Sequence, residues 1–230
     1  MKRIWEIDFA RGIAVIMMIV YHLLWSLRYF NILQFKDNLW ILIFARSIPT
    51  IFFLIVGISL VLSYNKGRKL NYYFKRGIKV ISLGLLVSFL AWFLFSENAI
   101  LGVLTFIGIS TILGSFFVNF KKLNLILGFL FIILGLIFSK IKVNFNEFIW
   151  IGLTPNNFYP IDYFPLFPWF GIILIGIALG NFLYASGKSL FKEPKQNFVK
   201  VINFMGKHAL IFYFIHNIII FGILILVRGK

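Results

Sequence analysis

Seven apolar stretches dominate the chain, at 9–30, 40–64, 76–95, 99–118, 123–139, 163–185 and 207–227, each 17 to 25 residues long. A helix needs about 20 such residues to cross a hydrocarbon core of about 30 Å. Helices and closed barrels are the structures that satisfy all backbone hydrogen bonds in lipid. The pattern therefore predicts an all-α polytopic membrane helix bundle of about seven transmembrane helices, in the cell membrane. Composition agrees, with 61% hydrophobic residues, 13% charged residues and a mean hydropathy of +0.95, against about a quarter charged in soluble domains. No long polar linker, repeat or low-complexity tract divides the 230 residues, so one integral membrane domain over 1–230 is expected. The basic N-terminus precedes no small-residue cleavage site, and the first stretch reads as a retained span. The absence of cysteine excludes disulfides, thiolate metal sites and cysteine nucleophiles.

Charge orients the bundle. With the N-terminus cytoplasmic, fourteen basic residues fall in inner segments and five, Lys36, Lys140, Lys142, Arg228 and Lys230, in outer ones. This is a positive-inside bias, and it places the C-terminus outside. It also accounts for most of the +16 net charge. Cations in short loops between spans point to anionic lipid, and no nucleic-acid partner is expected.

Ionisable residues within spans are costly and face a bundle interior or a watery cavity. On the first helix Asp8 and Arg11 are three residues apart, and Arg11 and His22 eleven, close to three full turns. All three share one face. Asp8 sits at the positive end of the helix and can pair with Arg11. His22 lies about 16 Å farther along the axis, near or beyond the midplane. Two readings of it stand on the residues alone: a hydrogen-bonding group that joins helices, or a chemical group at a deep site.

"IDFARGIAVIMMIVYH", Ile7 to His22, resembles the first-helix signature of the membrane acyltransferase superfamily. "TIFFLIVGISLVLSY", Thr50 to Tyr64, and "YFKRGIKVI", Tyr73 to Ile81, are similar to its second-helix motif and the basic opening of its third. "DYFPLFPWFGIILIGIALG", Asp162 to Gly180, and "MGKHALIFYFIH", Met205 to His216, resemble late segments of one branch, the heparan-alpha-glucosaminide N-acetyltransferase catalytic-domain family. The resemblance implies a membrane-embedded acyltransferase. It would use a cytoplasmic acyl-CoA, usually acetyl-CoA, to acylate a hydroxyl or amine of a glycan or lipid-linked acceptor on the outer face. The catalytic histidine of that motif carries over to His22. A homodimer is left open, and no metal is expected.

Neutral imidazole serves either as base for the acceptor proton or as a nucleophile that carries the acyl group. Both routes stay open for His22. The phosphates of CoA need cations, for which Arg11, Lys75, Arg76 and Lys79 are the candidates. Lys66, Arg68 and Lys69 are assigned to topology alone. Toward the outer side, Arg46 and Asp162 are acceptor candidates, and Trp169 could stack on a sugar or anchor the interface. Pro165 and Pro168 are expected to break the start of the sixth helix. His216 in the last span is the second buried imidazole, an orienting group or a helix-joining one, whereas His208 lies near the inner surface.

Two rival classes fit less well. A small transporter or channel with a buried His and Arg pathway would place acidic residues inside several spans, and the middle spans have none. A retinal protein needs a Schiff-base lysine deep in the last helix, where Ala209 to Val227 offers none.

Overall fold

The computed structural model describes residues 3–36, 38–95, 101–158, 160 and 162–228. Lys2 and Lys230, two charges used in the orientation above, lie outside them. The helices are α1 (Trp5–Tyr29), α2 (Leu39–Tyr64), α3 (Leu70–Phe95), α4 (Val103–Phe117), α5 (Leu123–Phe138), α6 (Leu166–Leu183), α7 (Asn197–Lys207) and α8 (Ala209–Arg228). A two-residue parallel bridge joins β1 (Lys142–Val143) to β2 (Thr154–Pro155).

The chain is an all-α, multi-pass integral membrane protein. Five described helices, α1, α2, α3, α4 and α6, are long and apolar enough to cross a membrane, or six if α7 and α8 form one span bent by 79°. With the short 3-10 turn that follows it, α4 runs on to Phe120. The fifth helix has 16 residues and so rises about 24 Å, less than a full hydrocarbon core. Helices α3 and α5 expose Leu85, Phe89, Phe93, Ile126, Ile133 and Leu136, an apolar surface that suits lipid. Helix α7 was not foreseen. It buries Val199, Asn203 and Gly206 and exposes Phe198, Val201 and Phe204 beside Lys200 and Lys207.

The residues cluster into two compact units, one of Phe53–Lys188 and one of Lys2–Phe52 with Ser189–Lys230. In the first unit, glycines bring helix backbones together. A Cβ on Gly77 would meet the Gly108 carbonyl at 2.8 Å, and one on Gly108 the Gly77 carbonyl at 2.7 Å, which joins α3 to α4. The α5–α6 crossing is built the same way from Gly128 and Gly171. Such small-residue contacts replace the hydrophobic drive that lipid cannot supply between helices. Phe167 departs from helical geometry (φ −98°, ψ 128°), so the regular part of α6 starts at Pro168, as the two prolines led one to expect. Asn124 and Asn181 donate to the carbonyls of Phe117 and Val118 at 2.8 and 3.1 Å, and so satisfy acceptors left open where α4 ends.

In the second unit α1 carries the packing. Its buried residues Ile7, Asp8, Gly12, Ala14, Val15, Met18 and Ser26 form one face of helical period. A Cβ on Gly12 would collide with the Ile202 carbonyl and one on Gly206 with the Asp8 carbonyl, so α1 and α7 touch backbone to backbone. Trp5 Nε1 donates to the Phe191 carbonyl at 3.0 Å, and the Phe191 N–H donates to Glu6 at 2.9 Å.

The α5–α6 crossing has no room for a side chain. Gly171→Val is expected to destabilise the detergent-solubilised protein by about 1–3 kcal/mol, read as a lower unfolding temperature. Gly222→Ala, with open space around its Cβ position, should leave that temperature within about a degree of wild type, apart from the small gain expected of alanine in a helix.

Candidate active site

The stripe on α1 is present as a set of contacts. Asp8 is buried and pairs with Arg3 at 2.6 Å and Arg11 at 3.0 Å. The same Arg11 nitrogen donates to the Gly206 carbonyl at 3.3 Å, one of the last acceptors of α7, where a cation is favoured. Arg11, named above for the CoA phosphates, thus has protein partners at its guanidinium. Arg3 was missed as a partner of Asp8; its place just ahead of the helix, in a run of charge, was the available signal.

Three turns along, His22 Nδ1 lies 2.7 Å from His216 Nε2. The two rings are inclined by 25° with centroids 4.8 Å apart. This separation is a little less than the N···N distance plus two ring radii, so the nitrogens face each other almost along the line of centres. On α8, His216 Nδ1 lies 2.8 Å from the carbonyl of Phe212, one turn earlier. His216 is 5% exposed. Tyr21 and Tyr213 flank the pair, with ring centroids 5.9 and 6.2 Å from the respective histidines. Ser26, four residues beyond His22 on the same face, is buried and its hydroxyl has no hydrogen-bond partner among the described residues. The apolar residues around it had hidden it in the sequence.

The family described as "Heparan-alpha-glucosaminide N-acetyltransferase, catalytic" matches the chain over residues 3–218. The chain belongs to this family. It is therefore a member of a family of membrane acetyltransferases, and the matched span holds both histidines. No curated protein matches the chain, and no solved structure does.

The other candidates of this acetyltransferase-family chain are distributed between the two units. Lys75, Arg76 and Lys79 are all exposed along the first turns of α3. Arg46 is exposed on α2. It lies two residues past Phe44, which helps line a cavity of about 360 Å³ with Tyr21, Trp25, Arg28, Asn38 and Trp40. His22 is not part of that lining. Trp169, a candidate to stack on a sugar or to anchor the interface, is 5% exposed and set edge-on against Phe53 and Phe164, as a core residue. No group of three or more metal-ligating side chains occurs among the described residues.

Asp162 has a structural partner that its sequence position did not suggest. It accepts the Val103 N–H at 3.0 Å and so caps α4, with Gly102 leaving space for the carboxylate. Capping of this kind satisfies one of the open donors at a helix start. Burial pushes its pKa up to about 6, against the opposing pull of the Val103 hydrogen bond.

Two outcomes follow from these contacts. Arg11→Met removes one of the two cations paired with buried Asp8, with an expected loss of about 1–3 kcal/mol in thermal unfolding; adding Asp8→Asn should recover part of it. For Asp162 the folded chain holds its proton to higher pH than the unfolded chain. Stability is therefore expected to fall as pH rises between the ordinary carboxylate value of 3.8 and about 6, then to level off. In Asp162→Asn this slope should vanish from the pH dependence of the unfolding temperature.

Proposed function

We propose that the protein transfers an acyl group from acyl-CoA, with acetyl-CoA as donor, to a hydroxyl or amine of a glycan or related acceptor at the outer membrane face. His22 acts as the base or the acyl carrier. The observation that carries this reading is the imidazole pair itself: His22 held at 2.7 Å by His216, deep along a span, in a chain whose family is that of acetyltransferase catalytic domains. A histidine that served only to join helices would need no second titratable ring as its partner. Imidazole suits both halves of the reaction, because one nitrogen can take a proton from the acceptor and return it to the leaving sulfur.

Lys75, Arg76 and Lys79 are proposed to bind the phosphates of the donor. Their spacing puts Lys75 and Lys79 one turn apart with Arg76 beside them, and guanidinium and ammonium groups favour phosphate. Arg11 is proposed to contribute mainly by fixing α1 on α7.

The test is acetyl transfer and thioester hydrolysis by the full chain in nanodiscs. Wild type should bind and turn over acetyl-CoA, and His22→Ala should remain folded and bind acetyl-CoA but lose about 10²- to 10⁴-fold in rate. A native protein that neither binds nor consumes any short acyl-CoA would falsify the enzyme reading. Full transfer by His22→Ala would remove His22 from it.

A further inference from the structure

We infer that His216 is a positioning residue that holds His22 in one tautomer, with the proton on Nδ1, so that His22 Nε2 is the nitrogen that reacts. The inference rests on the acyltransferase reading of His22 and assigns what that reading leaves open, namely which atom forms the bond and what keeps it available.

Hydrogen bookkeeping along three groups leads there. The Phe212 carbonyl can only accept, so His216 Nδ1, 2.8 Å away, carries a hydrogen. Neither histidine has a carboxylate contact among the described residues, and an unbalanced charge within a span is costly, so the resting pair is neutral. A neutral ring with its hydrogen on Nδ1 has a bare Nε2. That bare Nε2 of His216 faces His22 Nδ1 at 2.7 Å, so His22 Nδ1 must be the donor. Its own Nε2 is then left with an in-plane lone pair. The near-collinear nitrogens and the 25° between the ring planes fit such a bond, in which an in-plane N–H meets an in-plane lone pair. The second nitrogen of a functional histidine commonly sets the ring's tautomer in this way.

The consequence for transfer balances in atoms and electrons. On the direct route His22 Nε2 takes the proton of the acceptor O–H or N–H as the acceptor oxygen or nitrogen bonds to the acyl carbon. The C–S bond then breaks, and the same Nε2 returns the proton to the CoA sulfur. On the carrier route the Nε2 lone pair bonds to the acyl carbon and CoA leaves as thiolate. The acceptor then displaces His22 and its proton passes to the thiolate. In both, the hydrogen on Nδ1 stays in the bond to His216, which spreads the positive charge of the transient imidazolium onto a second ring.

The experiment uses the full chain in nanodiscs, labelled with ¹⁵N-histidine. The chain has three histidines, and His208→Gln and His216→Gln assign their signals. In the substrate-free protein, His22 is expected to show a protonated Nδ1 and a bare Nε2. In His216→Ala that preference should be lost, and kcat for acetyl transfer should fall about 10- to 100-fold with the KM for acetyl-CoA within about twofold. His216→Gln offers a carbonyl acceptor to Nδ1 and should restore both the tautomer and most of kcat. Wild-type His22 protonated on Nε2, or a His216→Ala enzyme with kcat within about twofold of wild type, overturns the assignment while leaving His22 as the catalytic residue. Absence of transfer by wild type overturns the underlying reading, and this one with it.

Discussion

The backbone contact between α1 and α7 decides how the histidine pair can form. Helix α7 is short and carries lysines among its apolar residues, so its association with α1 rests on close contact and on hydrogen bonds. Gly12 and Gly206 supply the contact, and Arg11 supplies a bond to the Gly206 carbonyl. His22 lies ten residues beyond Gly12, and His216 lies ten beyond Gly206. The chain turns from α7 into α8 directly after that glycine, so anchoring α7 on α1 also sets where α8 starts. Two helices that leave one crossing with equal lengths of chain bring their imidazoles to the same level.

Much of this geometry could be read from the residues. The stripe of Asp8, Arg11 and His22 stands out because polar groups spaced at the helical period are conspicuous in an apolar segment. The family likeness gave His22 its chemical meaning, and the comparison with residues 3–218 bears out the family. What escaped was long-range. His216 is 194 positions from His22, and no local pattern says which of several buried polar groups will meet. Asp162 was read as an acceptor candidate, and no local pattern joins it to the helix it caps, which starts 59 residues away. Trp169 next to two prolines reads as an interfacial anchor, whereas Phe53 and Phe164 enclose it. Helix α7 was passed over because its apolar residues are interrupted by lysines and by Asn203, a pattern too short and too polar to register as a span.

The protein distributes polarity along α1 by kind. At the start of the helix it places full charges, a buried carboxylate held by two arginines, where the helix dipole favours an anion and the side chains of Arg3 and Arg11 can still reach water. Three turns deeper it places a single imidazole, His22, in hydrogen-bond contact with that of His216 on α8.

The choice of histidine as the partner of histidine is itself informative. A carboxylate at position 216 would accept the His22 N–H as well, but it would carry a negative charge within a span and would need a cation there to balance it. An asparagine or glutamine could accept the hydrogen bond but has no basic nitrogen to share a proton. Imidazole offers an acceptor without net charge, and its second nitrogen is held by a carbonyl of its own helix. The price is that everything depends on one hydrogen-bond register: Phe212 orders His216, and His216 orders His22. A rotation of α8 that broke the first of these bonds would free the second ring to adopt either tautomer. The i−4 carbonyl bond within α8 is therefore as much a part of the site as the contact between the two rings.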